Sequence, residues 1–154
     1  SEVCFMQKQA YQKINFIINN DKKEIKINCD RRQVSRALTN IIQNSAEAIN
    51  VDKNKIGNIS ILLPTDRSKV RIIISDDGPG LPMDLISKLT EPYVTTRVRG
   101  TGLGLAIVKK IMEDHDGSFS LENNKESGAK ATLTFYTNKP NLKANDPQLG
   151  RAAE

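Results

Sequence analysis

Apolar residues recur along this chain with two different periods, and each change of period marks an element. Ile14-Asn15-Phe16-Ile17-Ile18 is a short β-prone run, and Glu24-Ile25-Lys26-Ile27-Asn28-Cys29 alternates polar and apolar residues as a half-buried strand does. Asn19-Asn20-Asp21 between them is turn material, so the pair reads as a hairpin. From Arg31 to about Asn50 the period becomes helical, with Val34, Leu38, Ile41, Ile42 and Ile49 on one apolar face. Asp30 at the N-cap and Gln33 three residues later form the pattern of a capping box. Strand character returns in Asn58-Ile59-Ser60-Ile61-Leu62-Leu63 and in Lys69 to Ser75, whose continuous apolar run suits a buried position. Met83 to Leu89 fits a short helix, and Leu103, Ile107 and Ile111 fall on one side of a further helix that Gly117 stops. Ser118 to Glu122 and Ala129 to Tyr136 close the pattern as a hairpin around residues 123–128. Residues 1–12 read as the end of a preceding helix or a linker, residues 13–137 as one domain, and residues 138–154, with Pro140, Pro147 and Gly150, as a loose tail.

Composition narrows the class. With 154 residues and 38% apolar content the chain can hold one core, and no apolar run approaches the roughly 18 residues of a membrane span. A cytoplasmic piece that is not inserted in a membrane is expected. Cys4 and Cys29 have no CxxC partner, so reduced, inert thiols are expected rather than a zinc site. The net charge of +5 could point to nucleic acid, but the basic residues are scattered and the chain has no Trp, three Tyr and four Phe for base stacking. An anionic small ligand explains the excess equally well, and no nucleic-acid partner is expected. The single histidine, His115, excludes a multi-histidine metal centre, and its place at a helix end makes a structural role the expectation.

Three stretches carry candidate chemistry. Gly100-Thr101-Gly102-Leu103-Gly104-Leu105 places glycines at every second position before a helix, so free N–H groups and the positive end of the helix dipole are offered to an anion such as phosphate. A flexible turn before a core helix would have the same glycines. Asn40, Asn44 and Glu47 form a stripe beside the apolar face of the first long helix, and their oxygens are hard donors suited to Mg²⁺ held partly by phosphates and water. An ordinary polar flank would show the same spacing. Asp76 ends the apolar strand and is followed by Gly78-Pro79-Gly80, a strong acceptor beside bare backbone, where a planar heterocycle with an exocyclic amine would fit. A Gly-Pro turn capped by Asp is the alternative.

Taken together, Asn40-x-x-x-Asn44, Asp76-x-Gly78-x-Gly80, Glu91-Pro92-Tyr93-Val94-Thr95-Thr96 and Gly100-Thr101-Gly102-Leu103-Gly104-Leu105, in this order, resemble the catalytic ATP-binding domain of bacterial sensor histidine kinases, over roughly residues 14–137. The run from Leu38 to Ala48 and the Thr95-Thr96-Arg97 segment look most like the nitrogen-regulation sensor kinases. The resemblance implies an α/β fold, a two-layer Bergerat-type sandwich with a mixed sheet covered on one face by about three helices. It implies ATP and Mg²⁺ as cofactors. Asn44 matches the asparagine that ligands Mg²⁺, Asn40 the upstream asparagine near the reacting phosphate, and Asp76 the aspartate that accepts from the adenine amine. Gly78 and Gly80 match the glycines that give the base room. Gly100, Gly102 and Gly104, with Thr101, Leu103 and Leu105 among them, match the phosphate-embracing loop, and Thr95, Thr96, Arg97 and Arg99 lie in the segment that matches the mobile lid. The chain departs from the family at Thr90 and Tyr93 (often Phe), Arg97 (often Lys), Glu47 (often basic), and Asp116 and Lys130 (often Gly).

The family phosphorylates a histidine on a separate dimerisation domain, and His115 matches its structural histidine. The resemblance therefore implies a two-component signal-transduction kinase domain without its phosphoacceptor. The fragment is expected to be monomeric, and the full-length kinase to be a membrane-bound homodimer acting on a response regulator. A Bergerat-superfamily ATPase is the enzymatic alternative, but those usually carry Glu in place of Asn40, and an amide is a poor general base. A non-catalytic nucleotide-sensing module is the other.

Overall fold

The computed structural model describes residues 11, 13–19, 27–49, 56–64, 66, 68–95 and 100–137. In chain order the elements are β1 (Ile14–Asn19), α1 (Arg31–Ile49), β2 (Gly57–Leu62), β3 (Lys69–Asp76), α2 (Gly104–Asp114), β4 (Ser118–Asn123) and β5 (Ala129–Tyr136). The strands form one mixed sheet in the order β1-β2-β3-β5-β4. β1 runs parallel to β2, with Ile14 opposite Gly57, and the other pairs are antiparallel.

Strand alternation decides which face is covered. Ile59, Ile61, Val70, Ile72, Ile74, Ala131, Leu133 and Phe135 are buried. Their neighbours Asn58, Ser60, Arg71, Ser75, Lys130 and Thr132 are only half-buried on the other face. α1 lies over β2 and β3, α2 lies over β4 and β5, and the two helices pack on each other. Val34, Ala37, Ile41, Ile42, Ala46 and Ile49 of α1 and Val108, Ile111 and Met112 of α2 complete the core. The result is the two-layer α/β arrangement with one face covered.

Three local expectations change. The hairpin expected from residues 14–18 and 24–29 does not hold on its described side: β1 pairs with β2, and Ile27 to Asp30 form no strand. Parallel neighbours need a crossover, and α1 supplies it. Ile27 and Cys29 still pack against the core. Second, residues 83–90 form successive turns, with Leu85 N–H donating to Pro82 O and Lys88 N–H to Leu85 O. The described residues therefore hold two helices rather than about three. Third, α2 turns a slightly different side inward, burying Val108, Ile111 and Met112 while Leu103 and Ile107 stay half-buried.

The capping box is also rearranged. Asp30 Oδ1 accepts from Arg32 N–H at 2.8 Å and Gln33 N–H at 3.1 Å, as an N-cap should. The N–H of Asp30, which a capping box gives to the Gln33 side chain, donates instead to His115 Nε2 at 2.9 Å. A backbone N–H can only donate, so Nε2 is the acceptor and Nδ1 carries the proton, 2.7 Å from Ile111 O. His115 thus ties the end of α2 to the start of α1, with Phe135 edge-on at 6.3 Å between centroids. The structural role expected of it is the one its bonds describe.

Candidate nucleotide site

Between α1, the end of β3 and the start of α2 lies a cavity of about 600 Å³. One wall is the polar stripe of α1, where Asn40, Asn44 and Glu47 project together. Spacing of four and three puts them on one side of the helix while Ile41 and Ile42 anchor the other. Asn40 Nδ2 reaches the carbonyl of Gly104 at 3.4 Å, so α1 and the first residue of α2 meet at the cavity. An ideal Cβ on Gly104 would stand 3.8 Å from Asn44 Nδ2.

The start of α2 differs from that of α1. Its N-cap is Leu103, with no side-chain cap and no acidic residue in its first turn. Its first-turn N–H groups therefore lack the carboxylate that α1 receives from Asp30, at a helix end that borders the cavity through Gly104 and Leu105. Gly102 reaches this junction at φ 67°, and a Cβ there would be 2.6 Å from the carbonyl carbon of Tyr93. The close approach carries a bond, from Tyr93 N–H to Gly102 O at 3.0 Å. Tyr93 itself sits at φ 66°, an unusual conformation for an aromatic residue. The segment at 91–95 is thus fastened to the glycine loop at one point.

The far end of the cavity is built on Asp76. The residue is 7% exposed, and Oδ1 accepts from Gly78 N–H at 3.1 Å and Ala129 N–H at 3.0 Å. Oδ2 has no hydrogen-bond partner among the described residues. The strand end thus offers one pinned carboxylate oxygen and one available acceptor. Pro79, Gly80, Leu81, Leu89, Leu121, Ala129 and Ala131 give this end a mostly apolar lining.

Of the residues singled out from sequence, Asn40, Asn44, Asp76, Gly80, Thr95, Gly100, Thr101, Gly102, Gly104 and Leu105 line this one cavity. Gly78 and Leu103 do not: Gly78 stands behind Asp76, giving its N–H to the carboxylate, and Leu103 is the half-buried N-cap whose N–H meets Thr101 Oγ1 at 3.4 Å. Thr96, Arg97 and Arg99 lie outside the described residues. Asp116 and Lys130, the departures nearest the adenine side in sequence, are not in the lining. Asp116 occupies a left-handed position at φ 52° after α2, and Lys130 pairs with Glu122 at 3.0 Å.

Sequence reasoning missed Gly128 and the asparagines before it. Gly128 has φ 86°, and a Cβ on it would stand 1.9 Å from the carbonyl oxygen of Asp76. In sequence these residues read only as a hairpin turn. The contact is 52 residues away along the chain and leaves no local signal.

The donor set fits a magnesium–nucleotide complex. Among the described residues no group of three or more His, Cys, Asp or Glu comes together, so no all-protein metal cage is present. Asn40, Asn44 and Glu47 instead supply hard oxygens on one wall, facing an uncapped helix end.

Residues 29–139 match the family described as histidine kinase-, DNA gyrase B-, and HSP90-like ATPase, and the chain belongs to this family of nucleotide-binding domains. Within it the likeness is to sensor histidine kinases. Nitrogen regulation protein NtrY of Azorhizobium caulinodans is 46% identical over 121 residues, 76% of this chain and 16% of the relative. Sporulation kinase A of Bacillus subtilis is 30% identical over 115 residues, 75% of this chain and 18% of the relative. The chain spans less than one fifth of the length of these curated relatives. The solved catalytic domain of histidine kinase ThkA is similar with a TM-score of 0.76 and 33% identity, covering 88% of this chain and 89% of that one.

Proposed function

We propose that residues 13–137 form the Mg-ATP-binding catalytic domain of a sensor histidine kinase, transferring the γ-phosphoryl group to a histidine on a dimerisation domain outside this chain. The observation that carries the reading is the uncapped start of α2, which meets Asn40 and Asn44 across one cavity whose other end is the Asp76 carboxylate. Asp76, through its second oxygen, accepts from the adenine amine, and Gly78 and Gly80 keep side-chain bulk away from the ring. The first-turn N–H groups of α2 and the backbone of Gly100, Thr101 and Gly102 hold the phosphates, with Leu103 and Leu105 anchoring the turn. Asn44 is the magnesium ligand and Asn40 the residue beside the reacting phosphate. Bound magnesium would neutralise charge on the phosphate oxygens. Thr95, Thr96, Arg97 and Arg99 belong to the lid.

Little covalent work falls to the protein in phosphoryl transfer, so positioning and charge suffice. Asn40 is an amide and a poor base for activating water, which favours a protein acceptor over hydrolysis. His115 is not that acceptor, because both its ring nitrogens are engaged and it lies outside the cavity lining. The partners are the phosphoacceptor domain of the same kinase and a response regulator; histidine kinase ThkA has been solved in complex with the response regulator protein TrrA. The fragment acts as a monomer in the cytoplasm, and the full-length kinase as a homodimer. Among the described residues no helix is long and apolar enough to cross a membrane.

The test is incubation with γ-labelled ATP and the cognate dimerisation domain. Label on that domain's histidine is expected. Label released only as free phosphate would assign an ATPase, and no transfer or release a nucleotide-sensing module.

A further inference from the structure

Asn123 closes β4 outside the cavity lining, yet it is bonded to the loop that forms the cavity's apolar end. Its Oδ1 accepts from Leu81 N–H at 2.7 Å and its Nδ2 donates to Leu81 O at 2.8 Å. The side-chain amide thus pairs with one residue's main chain as a neighbouring strand would, and both backbone groups fix which way it points. Nδ2 also lies 3.4 Å from Met83 Sδ. The fit is close, since a Cβ on Gly80 would come within 3.0 Å of Asn123 Oδ1. The next residue grips the other end of the same loop, with Asn124 Nδ2 donating to Asp76 O at 3.0 Å and to Ala129 O at 3.3 Å. Residues 77–81 contain three residues, Pro79, Gly80 and Leu81, that line the cavity, and the loop's own bond to the Asp76 carboxylate, from Gly78 N–H, stops short of them.

We propose that Asn123 is a positioning residue for base recognition: its paired bonds to Leu81 hold the Pro79–Leu81 wall at the spacing a purine ring needs beside Asp76. The proposal rests on the adenine placement given above. Asn123 lies outside the cavity lining, and its side-chain bonds go to Leu81 and Met83 rather than to the α1 and α2 residues of the phosphate end. Its loss therefore weakens ligands in proportion to what the base contributes.

The experiment compares Mg-ATP with Mg-bound inorganic triphosphate, by calorimetry, on wild type, Asn123→Ala and Asn123→Asp. Asn123→Ala is expected to bind Mg-ATP about tenfold more weakly, the worth of two ordinary hydrogen bonds, with triphosphate affinity unchanged. Asn123→Asp is near-isosteric and carries the test should the alanine variant not fold. At neutral pH its carboxylate keeps the bond from Leu81 N–H but faces Leu81 O without a proton. Acid restores the donor as the pH approaches the ordinary carboxylate value near 3.9, so its Mg-ATP affinity relative to wild type should rise as pH falls from about 6 to about 4. Equal Mg-ATP affinity in the variants, a parallel loss for triphosphate, or a pH-independent ratio in Asn123→Asp would overturn the positioning role. A wild-type domain that binds no Mg-ATP would instead remove the adenine placement itself.

Discussion

Gly104 separates what the fold needs from what a ligand needs. It is the first residue of α2, it is absent from the left-handed positions, and an added Cβ would lie 3.8 Å from Asn44 Nδ2 and 3.9 Å from Asn40 Cγ. Those are ordinary contact distances, so the apo protein has room for a methyl group. Gly104→Ala should therefore stabilise the free domain by about 0.4–1 kcal/mol through a less flexible unfolded chain. That gain corresponds to a rise of about 1–4 °C in Tm. The methyl would nevertheless stand between the magnesium-side asparagines and the start of α2, where the phosphates are placed. Forcing a well-packed group aside costs about 1–3 kcal/mol, or roughly 5- to 150-fold in affinity for Mg-ATP. Scanning calorimetry without ligand and titration calorimetry with it read the two effects separately. A raised Tm with unchanged Mg-ATP affinity would refute the placement of the phosphates at this helix end. Gly102→Ala is the contrast, since its Cβ would meet the Tyr93 backbone at 2.6 Å from a left-handed glycine, and stability and affinity should fall together.

Asp76→Ala should abolish binding of ATP and ADP alike by calorimetry, because the proposed adenine acceptor goes and the N–H groups of Gly78 and Ala129 lose their partner. Asn44→Ala should lose the part of ATP affinity that magnesium confers, so that adding a chelator changes its titration little while weakening that of the wild type. His115→Ala should cost about 1–3 kcal/mol in urea unfolding by removing two bonds, from Asp30 N–H and to Ile111 O, the latter carbonyl keeping the N–H of residue 115, with Mg-ATP affinity retained. The backbone bonds to Asp30, from Gln33 first, hold its carboxyl below the ordinary 3.8. The unfolded chain then binds that proton more readily, so the cap's contribution is complete above pH 3.8 and fades as pH falls through the lower folded value. Asn in place of Asp30 keeps the acceptor oxygen, and its stability curve should be flatter in that acid window than the wild type's.

The elements most legible in the sequence were those whose signal is local. α1 announces itself through Asp30 and the spacing of Val34, Ile41, Ile42 and Ile49, and β3 through its apolar run ending in Asp76. The cavity was legible because its walls are motifs: Asn40 and Asn44 one helical turn apart, Asp76 at a strand end, and glycines before α2. What escaped depends on partners far along the chain. The β-prone residues 14–18 say nothing of whether the neighbouring strand is the next one or one beyond a helix, and the parallel register with β2 is decided by α1 packing. Gln33 was expected to complete the cap, but His115 arrives from 85 residues away to take the bond. Asn123, Asn124 and Gly128 are ordinary turn residues until the fold sets them against Asp76 and Leu81.

β5 is the final strand among the described residues, but it lies between β3 and β4 in the sheet. A chain emerging from the ribosome therefore displays β3 and β4 as two separate borders, with a gap that β5 fills. The Asp76 carboxylate stays half-anchored until Ala129 arrives with its N–H. The cavity is thus completed late, because a chain that stops before residue 129 carries Asn40, Asn44, Asp76 and the glycine stretch without Ala129 and Ala131, which line the same space.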